Sequence, residues 1–511
     1  MEITDLRDIT RIIDRFARPT LETLPRKLKN KERLISKFHQ LILNTDIKTD
    51  IEVAQKLYGT TVLTGRYSFL KSNYTKLALN TLLDLNLKQS GLSKIAQVRY
   101  VCERNYFLIS TIIKNGAHGP AMRMAWSTYR LAKKYELALI CSEVLILICD
   151  QLSHSGKITQ YQKYWKEYEK QRTIYNYEIN AIHIEYQVRI RMVKWNVADP
   201  KSLPFVEKAV ADLKKIFTIV DNFKIRMSYY RTLYTYYRIK GDFDKVNEVC
   251  REALSWQSKY PTLTFPFLEG QFAVFMLEAS IFLRDRKMAQ DSSYYCERSL
   301  TQGSNSWFVY VECLFIFKMQ MGDLEDAAAI FKRVTTHPRF ETQREFVREK
   351  WGLYSTYIDY LVHINEISSV AGQAKRAPLL RYRKYRDLIR HHPTHGKDKR
   401  GRNVSVIILN ILILLESKKY VEIVEQIDGL ATYRKKYLSD TDSPHSASFF
   451  KLLIIMIKEN FDLKRIKLKA EYHINILNKA IFTPFDLSES LQILPYSWVW
   501  SRMEYLLSKR R

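Results

Sequence analysis

The chain is poor in the residues that bend a backbone. Of 511 residues, 15 are Gly and 13 are Pro, about 5% together against roughly 12% in average usage. Sheets need turn residues every few positions, so this scarcity excludes sandwiches, barrels and doubly wound sheets. Cysteine is also sparse. Its six copies, Cys102, Cys141, Cys149, Cys250, Cys296 and Cys313, stand far apart, mostly in apolar helical patterns such as Leu145-Ile146-Leu147-Ile148-Cys149. No CxxC spacing occurs, so buried free thiols are expected rather than disulfides or zinc ligands. Long apolar runs are missing too. The longest, Val404 to Leu415, contains Ser405 and Asn410 and falls short of the about 20 residues that cross a bilayer, so it reads as a buried helix. The N-terminus, Met1-Glu2-Ile3-Thr4-Asp5-Leu6-Arg7, has no apolar core of a secretory signal. A soluble, cytoplasmic protein is expected.

Acidic residues are the last deficit: 54 Asp and Glu face 82 Lys and Arg, for a formal charge of +28 and a sequence pI near 9.6. Such a field favours polyanionic partners, namely nucleic acid, an anionic membrane surface or an acidic protein. What the chain does have is a core: apolar residues are 46% and charged residues 27%, the composition of an ordinary folded protein. The apolar residues recur at three- and four-residue steps almost throughout, without sustained two-residue alternation. That is the helical period, and it predicts an all-α fold. Breakers such as Gly119-Pro120, Asp199-Pro200, Tyr260-Pro261, His337-Pro338, His392-Pro393 and Ser443-Pro444 fall tens of residues apart, dividing the chain into helices joined by short turns and prompting a search for internal repeats.

Two segments repay that search. Leu233 and Tyr237 precede Lys240-Gly241-Asp242-Phe243, followed by Val246, Cys250 and Ala253-Leu254. Leu314 precedes Met321-Gly322-Asp323-Leu324, followed by Ala327, Phe331 and Val334, with Pro338 closing the unit. Both resemble the tetratricopeptide pattern, in which Gly-Asp turns between two antiparallel helices and a small residue lets the second approach the first. Ala132 to Ala138, leading to Cys141 and Leu145, and Ser417-Lys418-Lys419-Tyr420, leading to Ile423, Ile427 and Leu430, keep the turn aromatic but lose Gly-Asp. The resemblance implies a right-handed superhelix, a solenoid of helical hairpins with a concave face. The last third, with Gly396-Lys397-Asp398-Lys399-Arg400-Gly401, a long apolar helix and Ile493-Leu494-Pro495-Tyr496-Ser497-Trp498, is similar to a group of uncharacterised bacterial helical-repeat proteins. That similarity implies a common architecture and supplies no activity. The expected organisation is a charged helical cap over 1–50, the repeat array over 51–370, a basic helix and loop over 371–402, and helical hairpins closing the array over 403–511.

Charge concentrates in the third of these segments. Lys375 to Arg402 holds 11 basic and two acidic residues. A helix there carries Arg381, Arg383, Lys384, Arg386 and Arg390 on a broad face, with Tyr382 and Tyr385 interleaved. Arg forks suit phosphate, and Tyr rings stack on unpaired bases; the competing reading is a solvated face paired with acidic neighbours. In the loop after it, Gly396 and Gly401 bracket Lys397, Lys399 and Arg400, Arg402 follows, and Asn403 is placed to cap the next helix. Free N–H groups beside cations make a natural anion site. The loop is no nucleotide-hydrolysing motif, because Arg402-Asn403 stands where Lys-Ser or Lys-Thr is required.

Other constellations read as structural. His391, His392 and His395 flank Pro393 without a Cys or acidic ligand at matching spacing, so no metal is expected. Tyr161, Tyr164-Trp165, Tyr168, Tyr175 and Tyr177 alternate with Lys163, Lys166, Lys170 and Arg172; gap-filling rings under lysine stems are favoured over a stacking track for single strands. There is no HExxH, GxSxG or Gly-rich dinucleotide loop, and Glu167/Glu169 look like surface ion-pair partners. The expectation is a non-enzymatic scaffold, without cofactor, that binds a protein or peptide partner of acidic character. Direct nucleic-acid binding through 375–402 is the alternative, and a peptide-sensing regulator whose pitch changes with ligand is a second one.

Overall fold

A computed structural model describes residues 2–16, 31–44, 47–83, 93–194, 202–368, 402–438, 444–478 and 492–509. Every regular element among the described residues is a helix. In chain order they are α1 (Ile3–Phe16), α2 (Lys31–Leu43), α3 (Asp50–Tyr58), α4 (Gly65–Leu83), α5 (Lys94–Lys114), α6 (His118–Lys134), α7 (Ala138–His154), α8 (Ile158–Lys194), α9 (Leu203–Ile219), α10 (Phe223–Lys240) and α11 (Phe243–Gln257). There follow α12 (Pro266–Leu283), α13 (Arg286–Ser299), α14 (Asn305–Met321), α15 (Leu324–Thr335), α16 (Glu345–His363), α17 (Arg402–Glu416), α18 (Tyr420–Val424), α19 (Ile427–Tyr437), α20 (Pro444–Lys458), α21 (Leu463–Asn478) and α22 (Tyr496–Ser508). The chain divides into two compact units, Met1–Tyr161 and Gln162–Arg511.

In the first unit, α1 packs on α2 and α4. Ile3, Leu6 and Ile13 meet Phe38, Ile42, Tyr67 and Tyr74 in one cluster. Arg7 is buried with them. Its guanidinium donates to the carbonyls of Ile42, at 2.6 Å, and of Ile47, so a cation satisfies acceptors left open past the end of α2. Further along, α6 lies against both α5 and α7. Ala121, Ala125 and Ala132 give α6 a flat, fully buried stripe, which lets backbones approach closely.

The second unit is a succession of helical hairpins. α10 pairs with α11, α12 with α13 and α14 with α15; α12 also contacts α14, first helix to first helix. Side-chain caps start several of these helices. Asn222, Asp242, Asp285 and Ser304 accept from the N–H groups of Ile225, Lys245, Met288 and Trp307, satisfying donors that have no partner within the helix. Gly270 permits one close approach: a Cβ there would meet Leu300 Cδ2 at 2.4 Å. Beyond α16, α20 pairs with α21, and α22 packs on α21 and α17. One large apolar cluster runs from Ala273 on α12 to Leu507 on α22. The apolar run Val404–Leu415 lies inside it on α17, as its composition predicts.

One bend recurs between helices. Gly241 takes φ 74°; its N–H donates to Arg238 O at 3.1 Å, and the Asp242 N–H donates to Tyr237 O at 3.0 Å. This pair of bonds is the Schellman closure, which uses carbonyls the helix end leaves open. The same pair closes the bends at Gly116, Glu136, Gly156 and Lys418. Asp285 and Asp323 make the longer of the two bonds after Arg284 and Gly322. Glu136, Arg284 and Lys418 hold φ of 50°, 53° and 57°, a region that costs a side-chain-bearing residue roughly 1–2 kcal/mol. The bends at Gly241, Arg284 and Gly322 are about 40 residues apart, within the period of helical-repeat arrays.

α12 is the one helix among the described residues long and apolar enough to cross a bilayer, and 61% of it is buried inside the protein. It carries Glu269 and Glu278, and Glu278 belongs to the charged track described next.

Candidate functional site

The basic residues singled out by sequence, Arg381, Arg383, Lys384, Arg386, Arg390, Lys397, Lys399 and Arg400, lie outside the described residues, as do His391, His392 and His395. Arg402 opens α17.

What the structure brings together is a track of charged side chains in two stretches, one linking α8, α10 and α12 and the other linking α14, α16, α17 and α22. It begins on α8, where Glu178 is buried and accepts from Asn222 Nδ2 at 2.6 Å and Lys224 Nζ at 2.7 Å. Two turns later Glu185 accepts from Ser228 Oγ at 2.7 Å and from Arg189 at 2.5 Å, with Arg231 at 3.7 Å. Arg231, on α10, donates through Nε to Gln271 of α12 at 3.0 Å. Two turns along the same helices, Glu278 accepts from Tyr234 OH at 2.6 Å and from both Nε and a terminal nitrogen of Arg238, at 2.9 and 2.5 Å. Glu312 on α14 accepts from Lys350 Nζ at 2.5 Å and Tyr354 OH at 2.9 Å, both from α16. Glu416 on α17 then takes Tyr360 OH at 3.3 Å and Arg502 of α22 at 3.1 Å.

Two of the rungs share a design. A tyrosine hydroxyl and a cation one turn apart on one helix converge on a carboxylate of another: Tyr234 with Arg238, and Lys350 with Tyr354. Tyr67 and Lys71 do the same to Asp50 in the first unit. The i, i+4 spacing stacks the two donors on one face, and two donors per carboxylate repay much of the cost of taking it out of water. Burial lowers the Arg238 pKa, but Glu278 outweighs it and the net shift is upward. The Tyr234 hydroxyl, buried beside the same carboxylate, is pushed well above its ordinary value. Arg231 differs. Burial pulls its pKa down, and Glu185 opposes this only in part because Arg189 stands close by. The approach of Arg231 to Glu185, at 3.7 Å, is the longest ion pair of the track. The Cys313 thiol lies among these charges and is raised by its own burial and then by Glu278 and Glu312.

The other sequence candidates are more ordinary. On α8, Trp165 and Tyr168 have ring centroids 5.1 Å apart, Lys163 lies over Tyr164 and Arg172 over Tyr175. These contacts are all within one helix, and Tyr177 packs into a small core with Ala181 and Leu213. Glu167 accepts from Gln171 at 3.1 Å. No group of three His, Cys, Asp or Glu side chains among the described residues is arranged to hold a metal ion. Separately, an open cleft of 770 Å³ lies between α11, α12 and α13, with Arg251, Glu269, Met276, Asp291, Tyr294 and Tyr295 among its walls. No protein-family model, curated protein or solved structure matches the chain.

Proposed function

We propose that the chain is a non-enzymatic helical-repeat scaffold, its tetratricopeptide-like hairpins stacked as a right-handed solenoid, that binds a protein or peptide partner of acidic character on the concave face. The observation that carries this reading is the charged track. In a stack of hairpins the first helices line the concave side, and the track includes the first helices α10, α12 and α14. A half-buried row of paired charges offers a partner's backbone and side chains fixed donors and acceptors at regular steps. Arg231, whose ion pair is the longest of the track, is where an incoming carboxylate gains most. The six free thiols fit a reducing compartment, and we place the protein in the cytoplasm.

The test is a fluorescence-anisotropy titration of the full chain with a labelled glutamate-rich peptide, in parallel with short single- and double-stranded nucleic acids, at about 50 and 200 mM salt. The expected result is saturable peptide binding that Arg231→Glu weakens by about tenfold, the effect of losing roughly 1.4 kcal/mol. Peptide binding indifferent to that substitution refutes the assignment to the track. Tight nucleic-acid binding without peptide binding refutes the reading as a whole.

A further inference from the structure

The strongest unassigned surface is on α21. Its inner face is committed: Ile466, Ala470 and Leu477 are buried in the large core. Opposite them the helix turns apolar side chains to water. Leu468 is 85% exposed and Tyr472, one turn later, 69%. Lys464, Arg465 and Lys467 are exposed around them, with a single carboxylate, Glu471, on the same face. Lys469 is occupied by Glu459 at 2.5 Å and Arg465 reaches Asp462 only at 3.7 Å. Lys464 and Lys467 form no ion pair among the described residues. Tyr420 packs against Phe461 with centroids 4.9 Å apart. That contact sets the start of α18 beside the bend leading into α21, and Val421 there is 73% exposed.

We infer that this face is a docking surface for an anionic lipid bilayer, with Leu468 and Tyr472 entering the headgroup boundary and Lys464, Arg465 and Lys467 meeting anionic headgroups. Leucine and tyrosine standing outward among lysines are what an interfacial helix presents: apolar tips enter the acyl boundary, and cations are held at the phosphate level. A nucleic-acid backbone would account for the lysines but offers Leu468 nothing to bury against. The charge of +28 adds long-range attraction to any anionic membrane. Docking is by adsorption. α21 has 16 residues, fewer than the about 20 of a membrane-spanning helix, and its inner face stays in the protein. This inference is independent of peptide binding by the track, which lies on other helices.

The experiment is co-sedimentation of the full chain with vesicles of phosphatidylserine and phosphatidylcholine, against vesicles of phosphatidylcholine alone, in about 0.1 M salt. Binding to the mixed vesicles only is expected. The double substitution Leu468→Ser/Tyr472→Ser should lower partitioning by about tenfold or more, since each buried apolar side chain is worth at least that factor. Lys464→Gln/Arg465→Gln/Lys467→Gln should lower it as well, with the circular dichroism of both variants unchanged. As a second readout, Leu468→Cys carrying an environment-sensitive dye should shift to the blue on the mixed vesicles. Failure to bind the mixed vesicles, equal binding to neutral ones, or full retention by the Leu468→Ser/Tyr472→Ser variant would each overturn the inference. So would binding of a DNA duplex that depends on the three cations while vesicle binding does not.

Discussion

Replacing Glu278 with Gln tests whether the charged track holds the hairpins together. The substitution keeps the shape of the side chain and removes the charge that Arg238 faces. Both partners are largely enclosed, with side-chain exposures of 19% for Arg238 and 17% for Glu278. Removing one partner of a fully buried pair costs about 3–5 kcal/mol, because the other charge is left uncompensated. Arg238 keeps some access to water, and the amide still accepts from Tyr234, so the expected loss is about 2–3 kcal/mol, near that of a hydrogen bond to a charged group. Urea unfolding followed by tryptophan fluorescence reads the loss as a lower midpoint at unchanged slope. The triple variant Tyr234→Phe/Arg238→Met/Glu278→Leu strands neither a charge nor the Tyr234 hydroxyl and should come back to within about 1 kcal/mol of the parent. If Glu278→Gln costs less than about 0.5 kcal/mol, the level of an ordinary surface change, the rung is decoration and the structural account of the track fails.

Gly322 bends at φ 77° with open space around it, so Gly322→Ala should cost about 1 kcal/mol of backbone strain alone, whereas Lys418→Gly, relieving φ 57°, should stabilise by roughly 0.5 kcal/mol in the same unfolding assay. Hydrogen bonds from Arg333 hold the Glu297 carboxyl below its ordinary 4.5. A depressed acid stabilises the fold above its unfolded value, so this contribution is present above about pH 4.5 and lost as pH falls below it; Glu297→Gln should flatten that part of an acid-unfolding curve. Burial lifts the thiols of Cys102 to about 11 and Cys296 to about 12, and Cys250 higher still. An aromatic-disulfide thiol reagent at neutral pH should therefore find these three unreactive in the native protein and reactive after denaturation.

How far the sequence speaks depends on whether a feature is local. The helical period and the Gly-Asp bends at Gly241 and Gly322 are local, and they mark real hairpins: Val246, Cys250 and Ala253 are buried where the pattern puts the inner face of α11, and Ala327, Phe331 and Val334 likewise on α15. The weaker bends after Tyr135 and before Tyr420 are hairpins too, with Glu136 and Lys418 taking the left-handed position in place of glycine. The bend at Arg284-Asp285 escapes notice because neither residue signals a turn as strongly as Gly-Asp. The track is not local. Tyr234, Arg238 and Glu278 meet only once the register of two hairpins is set, and no pattern within a single helix fixes that register. The trace it leaves in sequence is the four-residue spacing of Tyr and a cation at Tyr234/Arg238 and Lys350/Tyr354, which reads on its face as an unremarkable helix surface. All of the most basic segment, 375–402, but its last residue, Arg402, lies outside the described residues.

The recurring bend has a consequence for how such a chain ages. Its closure is made by peptide N–H and C=O groups, which every residue but proline possesses, and the side chain at the corner contributes little beyond a modest torsional preference. Glycine, glutamate, arginine and lysine all occupy that corner in this one protein. Spelling can therefore drift at the corners while geometry is inherited, until two descendants share a shape and almost no letters. A lineage built on backbone joinery erases its own written record sooner than one that depends on particular side chains, and its kinship is better sought in the periodic placement of left-handed residues than in identities.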